Sequence, residues 1–148
     1  MKKRASPEES LTGLILQIFR VNGQLLTAGD RLTKKLGLTS ARWQILGALA
    51  DGRLTASQIA RKMGLKRQSV QRLVDLLERE KIVELSRNPD HRVAMLVSLT
   101  AKGERKFAQI SKIQADWAGR LAQGLSAADL NAAIDLLQTL QTRLEQSQ

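Results

Sequence analysis

Apolar residues recur along most of this chain at intervals of three and four, with one stretch where the interval drops to two. Leu11, Leu14, Ile15, Ile18, Phe19, Leu25, Leu26, Leu32 and Leu36 fall at helical spacing, which predicts a long first helix over about residues 11–36. Asn22-Gly23 is a turn-forming pair inside it, and an interior Gly costs about 1 kcal/mol relative to Ala, so this is where the helix is free to kink. The apolar surface is broader than one small domain covers, which implies packing on a second subunit. Residues 1–9 open on Met1-Lys2-Lys3-Arg4, offer almost nothing to bury, and are expected to form a disordered basic tail.

Shorter elements follow. Leu38-Thr39-Ser40 supplies hydroxyl caps for a second helix, Ala41 to Ala50, with Trp43, Leu46 and Leu49 inward and Asp51-Gly52 closing it. Thr55 and Gln58 have the spacing of a capping box at the head of a third helix, which turns Ile59, Ala60 and Met63 inward. Gly64 suits a left-handed stop and leads into a fourth helix, to about Lys81, with Val70, Leu73, Val74 and Leu77 on one stripe. Helix, glycine turn, helix is a DNA-binding plan.

Beyond Lys81 the period changes. Ile82 to Ser86 and Val93 to Leu99 alternate around the turn residues Asn88-Pro89-Asp90, which predicts a hairpin. Phe107, Ile110, Ile113, Trp117 and Leu121 then mark a fifth helix over about 101–123. Ser126 caps a sixth, about 126–146, with Leu130, Ile134, Leu137, Leu140 and Leu144 on one face. The fold class expected is mainly α with a small β-wing. A winged helix-turn-helix lobe over about 38–99 joins helices that pair within a subunit and across a dimer axis, all in one domain over 10–148.

Composition narrows the partners. The chain has 148 residues, a formal net charge of +10, one histidine and no cysteine. Disulfides, thiolate metal sites and cysteine redox sensing are thereby excluded, and no metal or cofactor set suggests itself. From Arg31 to Val74 ten Lys or Arg residues face a single acid, Asp51, which concentrates positive charge on the helix-turn-helix segment. With no Tyr, two Phe and two Trp, the chain lacks the aromatic ladder on which single-stranded bases stack, so double-stranded DNA is the expected polyanion. No apolar run approaches the roughly 20 residues that cross a bilayer, and the basic start runs into Ser6-Pro7-Glu8-Glu9 rather than an apolar core. A soluble, cytoplasmic protein without membrane association is expected.

The fourth helix carries the chemistry. Gln68 and Arg72 lie almost opposite its apolar stripe with Ser69 and Gln71 flanking them, and its first two turns contain no carboxylate. Arg pairs bidentately with guanine, Gln with adenine, and Ser with base edges or phosphate. Lys66 and Arg67 are placed to hold phosphates. Thr55 and Ser57, near the start of the preceding helix, add hydroxyls and backbone N–H groups. Arg87, His91 and Arg92 cluster at the hairpin tip, where a β-ribbon lies against a minor groove.

The ordered set of motifs resembles the MarR family of winged-helix regulators. It comprises Leu38-Thr39 with Trp43, Leu46 and Leu49; Leu54-Thr55 with Ile59-Ala60 and Gly64-Leu65; Arg67-Gln68-Ser69-Val70 and Arg72-Leu73-Val74; and Asn88-Pro89-Asp90-His91-Arg92 before Leu99-Thr100 and Lys102-Gly103. The resemblance spans Leu11 to Leu144. It implies a homodimer whose first, fifth and sixth helices interlock, and a transcriptional regulator, a repressor, reading a palindromic operator. It further implies a small aromatic anionic effector bound between the dimerisation helices and the DNA-binding lobe, for which Phe19, Arg20 and Trp43 are the candidate lining residues. For Phe19 and Trp43 the periodic spacing favours core packing over ligand contact.

Two positions depart from the family pattern. Lys66 stands where members carry a small capping hydroxyl, so the fourth helix is expected to lack a side-chain N-cap, at a cost of about 1 kcal/mol. In the wing, the family's Asp-x-Arg spacing counted back from Leu99 falls on His91 and Val93, whereas Asp90 and Arg92 lie one residue further away. Either the wing has an extra residue or the usual arginine is missing.

An enzyme is not expected. His91 has no cysteine partner or nearby nucleophile motif, Ser86 and Asp90 read as turn residues, and Glu78 and Glu80 lie on different helix faces. An architectural or RNA-binding basic protein, with little sequence specificity and no effector, is the alternative that the charge allows.

Overall fold

In the computed structural model, which describes residues 5–148, helix α1 (Pro7–Thr33) begins before the apolar stripe does. Ser6 and Glu9 form a capping box: the Glu9 N–H donates to Ser6 Oγ at 3.2 Å, and the Ser6 N–H donates to Glu9 Oε2 at 2.9 Å. Pro7 at the first helical position and acidic Glu8 and Glu9 in the first turn complete a favourable start. Of the tail expected over residues 1–9, the first four lie outside the described residues. The remainder is an ordered helix start from Ser6 onward. Asn22-Gly23 does not interrupt the helix, and Thr27 Oγ1 donates to the Gly23 carbonyl at 3.1 Å.

A 3-10 turn (Lys34–Leu36) and Gly37, left-handed at φ 70°, lead into α2 (Ser40–Ala48), capped by Thr39 Oγ1. Helix α1 also reaches this cap. The Ser40 N–H donates to Asp30 Oδ1 at 2.7 Å, Ser40 Oγ donates to the Leu26 carbonyl, and buried Thr33 Oγ1 donates to the carbonyls of Gly29 and Leu38. The first helix is thereby bonded to the head of the second.

Helices α3 (Ala56–Met63) and α4 (Arg67–Arg79) pack on α2 around Leu38, Ile45, Leu46, Ile59, Val70, Val74 and Leu77. Each large aliphatic side chain fully buried here contributes about 1.5–3 kcal/mol. Trp43 and Leu73 pack against this core partly buried. Helix α4 ends two residues short of Lys81, which is left-handed at φ 60°. Its N–H donates to the Glu78 carbonyl, and that of Ile82 donates to Leu77. This is a Schellman stop whose apolar contact is between buried Leu77 and Ile82.

Strands β1 (Val83–Asn88) and β2 (His91–Leu99) form the antiparallel wing. Leu54, between α2 and α3, adds a third partner that alternation alone did not predict: its N–H donates to the Val97 carbonyl at 3.1 Å, and the Val97 N–H donates back at 2.7 Å. Helix α5 (Ala101–Leu121) meets the base of the wing at Gly103, where a Cβ would overlap the Ile82 carbonyl. Two α5 lysines hold carbonyls at the ends of other elements, Lys102 that of Glu80 at 2.9 Å and Lys106 that of Leu36 at 2.7 Å.

The chain divides into two compact units, the first ending at Lys112 and the second covering Ile113–Gln148. In the second, α6 (Ala127–Gln146) is capped by Ser126, whose Oγ accepts from the Asp129 N–H at 3.0 Å. It contains no buried residue, and Leu130, Ile134, Leu137 and Leu144 are exposed.

Candidate nucleic-acid interface

The turn between α3 and α4 is built from local sequence. Thr55 Oγ1 accepts the Gln58 N–H at 3.2 Å and Gln58 Oε1 accepts the Thr55 N–H at 2.9 Å, the capping box its spacing predicts. Gly64 adopts φ 67° and ends α3, and the Leu65 N–H donates back to Ala60. Lys66 then occupies the N-cap of α4 with extended backbone and no side-chain bond, as expected for a residue without a short oxygen-bearing side chain. The opening turn of α4 therefore presents backbone N–H groups, with the Lys66 and Arg67 cations beside them. That combination suits a phosphate oxygen.

Lys66, Arg67, Gln68, Gln71 and Arg72 are exposed, and Ser69 is half-buried. Gln71 Nε2 donates to Asp75 Oδ1 at 3.0 Å, so this amide is steadied by its own helix. Thr55 is only 9% exposed and its hydroxyl oxygen accepts in the cap, which makes it a helix-starting residue whose O–H is left to donate. Ser57 is half-buried. Together with Arg67 and Gln71 it lines one side of a cleft of about 240 Å3, whose other side is Val93, Ala94 and Met95 of the wing. The recognition surface and the wing thus flank one groove, within the first unit.

The wing is irregular in a specific way. Ser86 pairs with Leu96 and Asn88 with His91, so a single residue of β1, Arg87, stands opposite four of β2, Arg92 to Met95. This leaves three surplus residues on β2 within the hairpin. The Asp90 N–H donates to Asn88 Oδ1 at 3.0 Å to close the turn. His91 Nδ1 accepts from the N–H groups of Val93 at 3.3 Å and Ala94 at 3.1 Å. Arg87, His91 and Arg92 are all exposed. Val93, beside them on β2, is 81% exposed.

Phe19 is 69% exposed, and Trp43 packs at the edge of the winged-helix core. Arg20 lines a groove on α1 with Gly23, Gln24, Thr27, Ala28 and Arg31. Among the described residues no group of three or more His, Cys, Asp or Glu is placed to hold a metal ion, and no helix is long and apolar enough to cross a membrane.

A second helix that opens onto cations and amides beside a β-wing defines a winged helix-turn-helix DNA-binding protein. Residues 36–92 match the model described as MarR family. Over 132 residues the chain is 35% identical to uncharacterized proteins of Mycobacterium tuberculosis and Mycobacterium bovis, an overlap of 89% of this chain and 92% of each relative. Solved structures share the fold. A MarR/EmrR family transcriptional regulator from Acinetobacter sp. ADP1 superposes with a TM-score of 0.82 at 21% identity, over 91% of this chain and 96% of that one. CouR from Rhodococcus jostii RHA1, bound to p-coumaroyl-CoA, gives 0.77 at 24% identity, over 86% and 90%. The chain belongs to the MarR family of DNA-binding transcription regulators, whose members are not enzymes.

Proposed function

We propose that the protein is a homodimeric repressor that occupies a palindromic operator and is released from it by a small ligand. The observation that carries this reading is the pairing of exposed Gln68 and Arg72, one helical turn apart on α4, with an uncapped cationic helix start. Gln68, Ser69, Gln71 and Arg72 approach base edges in the major groove, while Lys66, Arg67, Arg87 and Arg92 hold phosphates. Homodimerisation is supported by the apolar side chains that α1 and α6 each leave exposed, Leu11, Ile15, Leu16 and Phe19 on one and Leu130, Ile134, Leu137 and Leu144 on the other. In the dimer the two α4 helices lie about 34 Å apart, one turn of B-DNA.

The ligand is an aromatic acid or its thioester. CouR, of the same fold, is bound to p-coumaroyl-CoA, and Arg20 and Arg31 line a groove on α1 with a charge suited to an anion. Such a ligand acts by favouring a lobe spacing that no longer matches the operator. Gel shift with DNA flanking the protein's own gene tests this, with and without aromatic acids and their CoA thioesters. A retarded complex that the ligand dissolves is expected. Equal affinity for scrambled duplex would instead indicate an architectural protein, and preference for RNA the other alternative.

A further inference from the structure

Among the wing's exposed residues Glu84, Arg87, Asp90 and Arg92 carry charge, yet a strongly exposed one beside them is apolar. Val93 is 81% exposed on β2, inside the segment where four residues stand opposite Arg87 alone. In an ordinary two-stranded ribbon only one of two consecutive N–H groups faces the partner strand. Here the His91 imidazole takes over: Nδ1 accepts the N–H groups of both Val93 and Ala94. The bulge is therefore a shaped feature with its own acceptor. Its outward residue stands across one cleft from Arg67 and Gln71 of α4.

With α4 in a major groove, a cleft of about 240 Å3 edged by Arg67, Thr55 and Ser57 accommodates the sugar–phosphate strand that separates the two grooves. Val93 is then delivered to the adjacent minor groove. There A·T and T·A pairs present only acceptors, whereas G·C adds the guanine N2 amino donor. A valine side chain accepts no hydrogen bond, so pressing it on that amino group leaves a donor unpaired. We propose that Val93 is a specificity-determining wing residue that selects A·T over G·C in the minor groove beside each recognition-helix site, and that His91 is its positioning residue. This rests on the operator reading above and adds a preference that α4 does not supply.

The test uses the full chain to select binding sites from a random duplex library. Minor-groove contacts in the selected site are located by protection of adenine N3 from methylation. At those positions duplexes carrying A·T, G·C or inosine·cytosine are compared, because inosine keeps the major-groove edge of guanine but lacks the N2 amino group. A·T and inosine·cytosine are expected to bind alike and G·C about tenfold more weakly. Val93→Thr keeps β-branching at an exposed position, so the strand persists, and it adds a hydroxyl that accepts from N2. The G·C penalty should then fall to roughly twofold. His91→Ala should erode the penalty, and His91→Asn, whose Oδ1 replaces the Nδ1 acceptor, should restore it. Equal binding of G·C and inosine·cytosine, or an undiminished penalty in Val93→Thr, overturns the role of Val93. Identical behaviour of His91→Asn and His91→Ala overturns that of His91. A library that yields no preferred sequence overturns the operator reading along with both.

Discussion

Gly29 of α1 lies directly against Ser40 at the head of α2, so closely that a Cβ on Gly29 would overlap the Ser40 hydroxyl and sit 3.2 Å from its Cβ. The same serine donates its hydroxyl to the Leu26 carbonyl and its N–H to Asp30 Oδ1. This is the point at which the long first helix is fixed to the DNA-binding lobe. Gly29→Ala is expected to lower stability by about 1–3 kcal/mol through overpacking. Ser40→Ala removes the overlapping hydroxyl, so Gly29→Ala with Ser40→Ala should be more stable than the sum of the single changes allows. Thermal unfolding of the four proteins measures the coupling; strictly additive losses would show that the contact is not tight.

Lys66 trades helix stability for charge. Replacing it with Ser supplies the side-chain oxygen that the start of α4 lacks, and should raise stability by about 1 kcal/mol. The same change deletes a cation beside the phosphate-facing N–H groups. Affinity for all duplexes should fall, and the slope of log affinity against log salt should shrink by about 1. Denaturant unfolding and salt-dependent binding on one protein report the two effects separately. Unchanged salt dependence would place Lys66 away from the phosphates.

Arg72 should behave differently. Arg72→Ala is expected to cost about 1–3 kcal/mol on the selected operator and little on random duplex, because a bidentate base contact is lost rather than a general attraction. Competition binding against both DNAs decides it. Equal weakening would move Arg72 into the phosphate-holding group.

Thr55 presents the converse case, a hydroxyl read from sequence as both cap and phosphate contact. Its bonds to Gln58 make it the cap of α3, so Thr55→Ala should cost about 1 kcal/mol of stability. Below the unfolding transition its salt slope should match the wild type. A slope reduced by a full phosphate contact would restore the other role.

These residues show where the sequence was legible. Features fixed by neighbours three or four apart were readable: the Thr55 and Gln58 box, the left-handed Gly64, the missing cap at Lys66, the α4 stripe. The Ser6 and Glu9 box has the same signature and was hidden only because it precedes the apolar stripe. Features that join distant segments were not readable. Leu54 pairs with Val97 through two backbone bonds that leave no mark on side-chain alternation. The surplus on β2 is invisible because Val93 to Val97 is a continuous apolar run that does not mark which residues leave the ladder. Helical spacing placed Phe19 on a stripe, but not which partner covers it, and within one chain it stays exposed.

That exposure bears on the assembly. Ile134 and Leu137 of α6 are 50% and 45% exposed, so neither contributes to burial within a single chain as a core residue would. Ile134→Asp together with Leu137→Asp should leave helix content intact, since only exposed positions change. In a dimer the same positions are covered, and two buried carboxylates per subunit without partners would separate the copies. Sedimentation should therefore show a dimeric wild type and a monomeric variant. Loss of the second half-site contact should weaken binding to the full operator by roughly 100-fold or more, the scale on which linked sites reinforce each other, while affinity for an isolated half-site stays the same. A wild type that sediments as a monomer at micromolar concentration and still binds the palindrome with full affinity would remove the homodimer from the mechanism.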